Sequence, residues 1–303
     1  MSAMDAKATT NATPLPAIRA FAARMGPALA RMFWTLFSIG FFAGIWELAW
    51  ALGWANPLLL PPPHVFLGKF LEQAHNFSPM LRWQVGQDPA TAPSPLVSVI
   101  QTVLATLGRV MAGLSLATTL ATALGIGIRR YVAVERLTLP TVYFLAPVSP
   151  IAWLPISIFL FGIGNAPAIF MVFIALFFTM TLATIAEIDA VDVNLINAAR
   201  TMGATRGQIY RRVILPAIAP GLFTVLRMNM FAAWMVVLLA EATGVGSGLG
   251  QIIMLARNTF NPSLVFFTVT LIGLLGFTTD WALRFLQDRF LFWSGRSTGG
   301  RRG

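Results

Sequence analysis

Four ionisable side chains, Glu47, Arg109, Arg227 and Glu241, interrupt long apolar stretches of this 303-residue sequence. A charge inside an apolar span is costly to keep, so each is by default a candidate for an ion pathway or a buried pair. Their chemistry is attraction and pairing rather than bond breaking. Arg109 and Arg227 could draw an anion, although Arg109 opens its span from outside and could instead snorkel to lipid headgroups. Arg227 lies deep, about eleven residues beyond Pro216, and could equally be paired with a backbone carbonyl or with Glu241. Glu241 could gate, pair with Arg227 or line a vestibule, whereas Glu47 sits late in its span and could simply reach water.

Other chemistries are poorly supplied. There is no Cys, and the two His, His64 and His75, cannot build a His-rich metal site, so no metal ligand set, disulfide framework or Cys nucleophile is expected. Gly244, Gly246, Gly248 and Gly250 imitate a phosphate-binding loop, but no Lys-Ser or Lys-Thr follows them. Without a Walker sequence or a catalytic triad the chain is expected to hydrolyse nothing itself.

The elements that must position these residues are membrane spans. Hydrophobic side chains make up 57% of the chain, charged ones 11%, and the mean hydropathy is +0.74, outside the usual range of soluble domains. A bilayer core takes roughly 20 apolar helical residues to cross. Six runs qualify: about Phe33 to Trp54, about Val110 to Ile128, two within the uncharged stretch from Leu137 to Ala186 divided by the turn at Gly162 to Pro167, about Leu215 to Ala240, and about Ser263 to Phe285, where Asp280 and Arg284 mark the approach to water. The chain therefore reads as an all-α polytopic membrane protein. In the second run Gly113, Ala117, Ala121 and Gly125 recur every four residues, a small-residue face that lets another helix approach closely. Pro147, Pro150 and Pro155 should bend the third span, either beside a translocation path or only for packing. Trp153 and Trp234 could meet cargo on that path, or serve as packing and interface anchors.

The formal charge of +10 reads as topology rather than nucleic-acid binding, since 19 of the 21 basic residues are Arg clustered between spans. Sixteen of them fall on one side, namely Lys7, Arg19, Arg24, Arg31, Arg129, Arg130, Arg136, Arg200, Arg206, Arg211, Arg212, Arg284, Arg289, Arg296, Arg301 and Arg302. Only Lys69, Arg82 and Arg257 fall on the other, which places both termini in the cytoplasm. Residues 1–32 read as a cytoplasmic tail, 33–293 as the membrane domain and 294–303 as a basic tail. The segment from about 56 to 95 is Pro-rich and outside, and Pro61 to His64 should break any helix there.

Inside, the loop from about 187 to 212 is charged yet rich in apolar residues. Val193 to Met202 reads as a short amphipathic helix, Gly203 can take the positive φ that ends it, and Thr205 can cap a second helix. Such a helix, turn, helix could dock a partner protein or lie on lipid headgroups.

From Asn197 to Pro216 the sequence reads NAARTMGATRGQIYRRVILP, which resembles the permease subunits of bacterial ATP-binding-cassette importers. Their loop runs Glu-Ala-Ala, three residues, Gly, nine residues, an Ile-like residue, any residue, Leu-Pro. Here Ala198, Ala199, Gly203, Val213, Leu215 and Pro216 fall at the matching positions, with Asn197 where the family usually has Glu. PVSPIAWLPISIFLFGIGNAP, Pro147 to Pro167, and EATGVGSGLG, Glu241 to Gly250, look like the branch that imports sulfonates, taurine, nitrate or bicarbonate; Ala146 stands where many relatives carry a basic residue.

The resemblance implies a type I importer fold in a bacterial inner membrane. It implies a coupling helix, including Arg200 and Arg206, that sits in a cleft of a partner ATPase carrying ATP and Mg. A second, identical permease and a periplasmic or lipid-anchored solute-binding protein would complete the assembly. The cargo would be a small anion meeting Arg109, Pro150, Trp153, Arg227, Trp234 or Glu241. A gradient-driven secondary transporter or channel also fits six spans, but no internal repeat is evident.

Overall fold

A computed structural model describes residues 27–54, 56, 59–77 and 94–291. The tail to residue 26, the loop positions 78–93 with Arg82, and the residues after 291 with Arg296, Arg301 and Arg302 lie outside them. The chain divides into two units, Met1–Val65 and Phe66–Gly303.

The first unit holds helix α1, Pro27–Ala51, whose apolar window shows none of its residues buried, as expected of a helix bathed in lipid. Glu47 stays partly exposed and also has a partner: its carboxylate meets Nδ1 of His64, whose ring lies edge-on to Trp50 with centroids 5.1 Å apart.

The helices that follow are α2 (Pro63–Gly68), α3 (Phe70–His75), α4 (Pro95–Arg130), α5 (Val132–Leu145), α6 (Leu154–Phe161), α7 (Asn165–Asp189), α8 (Val193–Thr201), α9 (Arg206–Ile209), α10 (Leu215–Ala240), α11 (Leu249–Asn258) and α12 (Pro262–Phe290). No strand occurs among the described residues. The triple proline is expected to break any helix, yet Pro63 begins α2: a first-turn proline forfeits only an N–H that would be orphaned anyway.

Among the described residues five helices are long and apolar enough to cross a membrane, or six if the pair Val132–Leu145 and Pro150–Phe161, bent by 103°, counts as one span. The bend falls at the proline cluster, where Pro150 opens a single 3₁₀ turn, Pro150–Trp153. Two expected boundaries move. α4 begins at Pro95, well before Val110, and the fifth span is one helix of 40 residues from Arg206 to Val245.

Helix α7 is the centre of the second unit, packed between α4 and α10. Lipid offers no hydrophobic drive to hold helices together, so the contact must come from close fit. The small face of α4 supplies it: a Cβ on Gly113 would stand 2.6 Å from Val172 Cβ, and one on Gly125 would stand 2.8 Å from Thr184 Cβ. Leu114, Met171, Leu176, Met180, Met230 and Val237 fill the core around this seam.

Candidate functional site

Between α7 and the fifth span the chain makes a compact turn built from local signals. Asp192 caps α8, its carboxylate accepting the Asn194 N–H at 2.8 Å. The helix stops because Gly203 adopts φ +81°, which lets the Ala204 N–H return to the Ala199 carbonyl at 3.1 Å. Thr205 and Gln208 then form a reciprocal capping box that starts α9, with Thr205 N–H to Gln208 Oε1 at 2.8 Å. Amphipathic helix, glycine stop and threonine cap are all as the sequence implies.

Part of the segment read as loop is helical. Glu187 and Asp189 belong to α7, and Arg206 already belongs to the next long helix, so residues 190–205 lie between the two helices. Arg211 and Arg212 look like loop residues because of their charge, but they sit on a π-helical stem, Tyr210–Ile214. Pro216 explains that widened turn, since a proline carried inside a helix removes one backbone bond and crowds the preceding turn.

Helix α8 has two faces. Ile196 and Ala199 pack inward with Val213 against Ile188, Ile209, Ile214 and Ile218. Leu195, Ala198 and Met202, spaced three and four apart, share an outward stripe on which Leu195 is 52% and Met202 87% exposed. Asn197, Arg200 and Arg206 are exposed around it. Leu215 is exposed on the stem, and Pro216 half-buried there.

Behind this turn the basic residues at the end of α4 are tied together. Tyr210 Oη donates to the Arg129 carbonyl at 3.0 Å, and the Arg130 guanidinium lies 5.3 Å from the Tyr131 ring and 5.4 Å from the Tyr210 ring. Arg129 in turn binds Glu135 at 3.1 Å and also Asp189, joining the ends of α4, α5 and α7.

At the other end of α4, Arg109 contradicts the snorkelling expectation. It lies well inside the helix, turned inward and 5% exposed, with Nη1 2.5 Å from Glu241 Oε1, Nε 2.9 Å from Asn165 Oδ1 and Nη2 2.5 Å from Ser247 Oγ. Glu241 is fully buried, and its second oxygen accepts from Thr106 Oγ1 at 3.1 Å and from the Gly250 N–H at 3.0 Å. It therefore faces no vestibule within this chain. The Gly-rich segment wraps this carboxylate: a Cβ on Gly248 or Gly250 would overlap Glu241, and Gly246 and Gly248 take φ of +73° and +105°.

Arg227 does not reach Glu241 either. Its Nε donates to Asp280 Oδ1 at 3.1 Å and its Nη1 to Gln287 Oε1 at 3.5 Å, while Arg284 Nε donates to Asp280 Oδ2 at 2.7 Å. Trp234 is buried with Nε1 3.3 Å from Thr279 Oγ1, and Trp153, beside Pro150 at the bend, packs on the central core. The residues that sequence reasoning leaves out are Thr106, Asn165, Ser247, Asp280 as a partner, and Gln287. For Thr106, Asn165 and Ser247 the one signal is a polar side chain in an apolar run. No group of three His, Asp or Glu that could hold a metal occurs among the described residues.

Comparison with known proteins agrees with this architecture. A protein of Methanocaldococcus jannaschii named as an ABC transporter permease is 33% identical over 250 residues, covering 82% of this chain and 87% of its own. The taurine transport system permease protein of Escherichia coli is 29% identical over 253 residues, 83% and 86% of the two chains, and a nitrate import permease protein of Leptolyngbya laminosa is 30% identical over 187 residues, 62% and 67%. A chain of the inward-facing MetNI methionine ABC transporter shares the fold with a TM-score of 0.56 at 21% identity, covering 65% of this chain and 96% of that one. Residues 98–291 match the family of binding-protein-dependent transport system inner membrane components, and the chain belongs to that family of ABC importer permeases.

Proposed function

We propose that this permease docks one ATPase subunit through residues 193–206, pairs with a second copy of itself, and conducts a small sulfonate or comparable oxyanion handed over by an extracytoplasmic binding protein. Both termini and the docking turn lie in the cytoplasm, as the distribution of Arg suggests. The supporting observation is the outward stripe Leu195, Ala198 and Met202: apolar side chains held out on a helix capped at its start and stopped by Gly203 at its end. A small residue at the centre of the stripe leaves room for a partner to close on the helix. The taurine and nitrate relatives support the solute class, and Arg227 supplies a positive group within the membrane for it.

Transport on this reading is conformational. ATP binding closes the paired ATPases and moves the docking turns, and the long helix from Arg206 to Val245 carries that movement into the membrane. Gly203→Val tests it, because a β-branched residue resists the positive φ at this position. In membranes carrying the whole transporter the variant should insert normally yet hydrolyse ATP without uptake of a taurine and nitrate panel. Coupled uptake at the parental rate would contradict the proposal.

A further inference from the structure

The second unit holds two sets of membrane-embedded charges, and they are built differently. Arg109 and Glu241 form a sealed one-to-one pair, 5% and 0% exposed, with polar neighbours on both partners. Arg227, Asp280 and Arg284 form an open set of two cations and one anion, with side chains 25%, 13% and 61% exposed. One positive charge is left over. Arg227 uses Nε on Asp280 and Nη1 on Gln287, and among the described residues no partner meets its Nη2.

Position decides what can satisfy that group. Arg227 lies fifteen residues after Arg212 and fourteen before Glu241 on one continuous helix, ~22 Å and ~21 Å of rise. Its partners, however, lie toward the end of α12 at Phe290: Asp280, Gln287 in the last turn, and Arg284, whose side chain is 61% exposed. Thr224 lies one turn below Arg227 and Phe231 one turn above, and both are exposed together with Met228 and Met235. The guanidinium therefore borders a surface that another body, or water, must cover.

Resting on the permease reading above, we propose that Arg227, Asp280 and Arg284 form a station for a monoanionic solute, a sulfonate or comparable oxyanion. Asp280 is its captive counter-ion. The solute takes the free edge of the Arg227 fork, and the Asp280 carboxylate, held by both arginines, keeps the net attraction to one charge. A conducting site must hold its cargo weakly enough to release it, and a resident competitor does that. Without Asp280 the same fork would be a trap. Asp280 is thus a positioning residue that sets how long the anion stays, and Arg227 is the residue that sets its sign.

The absence of native Cys allows a direct test. Thr224→Cys, with Arg227 untouched, is purified with its ATPase in lipid nanodiscs and treated with 2-sulfonatoethyl methanethiosulfonate, itself a small sulfonate, or with its trimethylammonio counterpart. The ratio of anionic to cationic labelling rates should fall about tenfold in Arg227→Gln, hold in Arg227→Lys and rise about tenfold in Asp280→Asn, since one unit charge in a confined path changes local ion concentration by at least that much. The glutamine and lysine pair carries the test if the asparagine variant fails to fold. Failure of the anionic reagent to reach the introduced thiol, or a ratio indifferent to Arg227→Gln, would overturn the station. Loss of the ATPase from the purification is a separate result and would count against the docking reading instead.

Discussion

Arg109 and Glu241 stand 132 residues apart in the chain and close into an ion pair of 2.5 Å whose side chains are 5% and 0% exposed. Around it gather Thr106 on the same helix as Arg109, Asn165 at the start of α7, Ser247 on the segment leading into α11 and Gly250 in its first turn. The pair therefore fixes where α4, α7 and the end of the fifth span meet, and it leaves neither charge free for cargo.

Removing one partner should be worse than removing both. Glu241→Ala strands a buried guanidinium and is expected to cost about 3–5 kcal/mol, whereas Arg109→Met with Glu241→Met should recover most of that loss. Thermal unfolding of the purified permease in detergent gives the order. A double variant as unstable as the single one would show that the pair contributes more than mutual neutralisation.

Close approach, and not glycine flexibility, sets the seam between α4 and α7. Gly113→Ala pushes a methyl against Val172 and the Ile169 carbonyl and should destabilise by about 1–3 kcal/mol. Gly108→Ala, one residue before Arg109 on the same helix, meets nothing within 4 Å and should be neutral or slightly stabilising. Midpoints of thermal unfolding compare the two; equal effects would contradict the packing account.

Tyr210 joins the π-helical stem to the end of α4. Tyr210→Phe keeps the ring beside Arg130 and loses the hydrogen bond to the Arg129 carbonyl, a change of about 0.5–1.5 kcal/mol. Tyr210→Ala loses both. ATP hydrolysed per solute imported should rise modestly in the first and strongly in the second. An unchanged ratio in Tyr210→Ala would remove this residue from the coupling route.

What is legible in the sequence is local. Gly203 and Thr205 announce a turn because their backbone preferences act within four residues, and the Gly113 to Gly125 spacing announces a close helix contact because helical period alone aligns it. Sequence alone misplaces Arg109 because its partner lies far along the chain, and apolar flanks do not tell a sealed pair from a snorkelling side chain. Arg227, read as pairing with a backbone carbonyl or with Glu241, instead meets Asp280, because the approach of α12 to α10 cannot be read along the chain. Arg211 and Arg212 conceal the stem because charge usually ends a span, yet a long helix can simply continue past the membrane.

On the proposed function, α8 is the ATPase dock. Tagged chain carrying Ala198→Trp, which fills the small centre of the outward stripe, should co-purify from gently solubilised membranes with the ATPase reduced about tenfold relative to the parent, a loss of ~1.4 kcal/mol. Leu137→Trp, on a residue 78% exposed in α5, is the control and should retain it. An ATPase that stays with Ala198→Trp at the parental ratio, or a parental chain that purifies without one while uptake continues in ATP-depleted cells, would contradict the docking assignment.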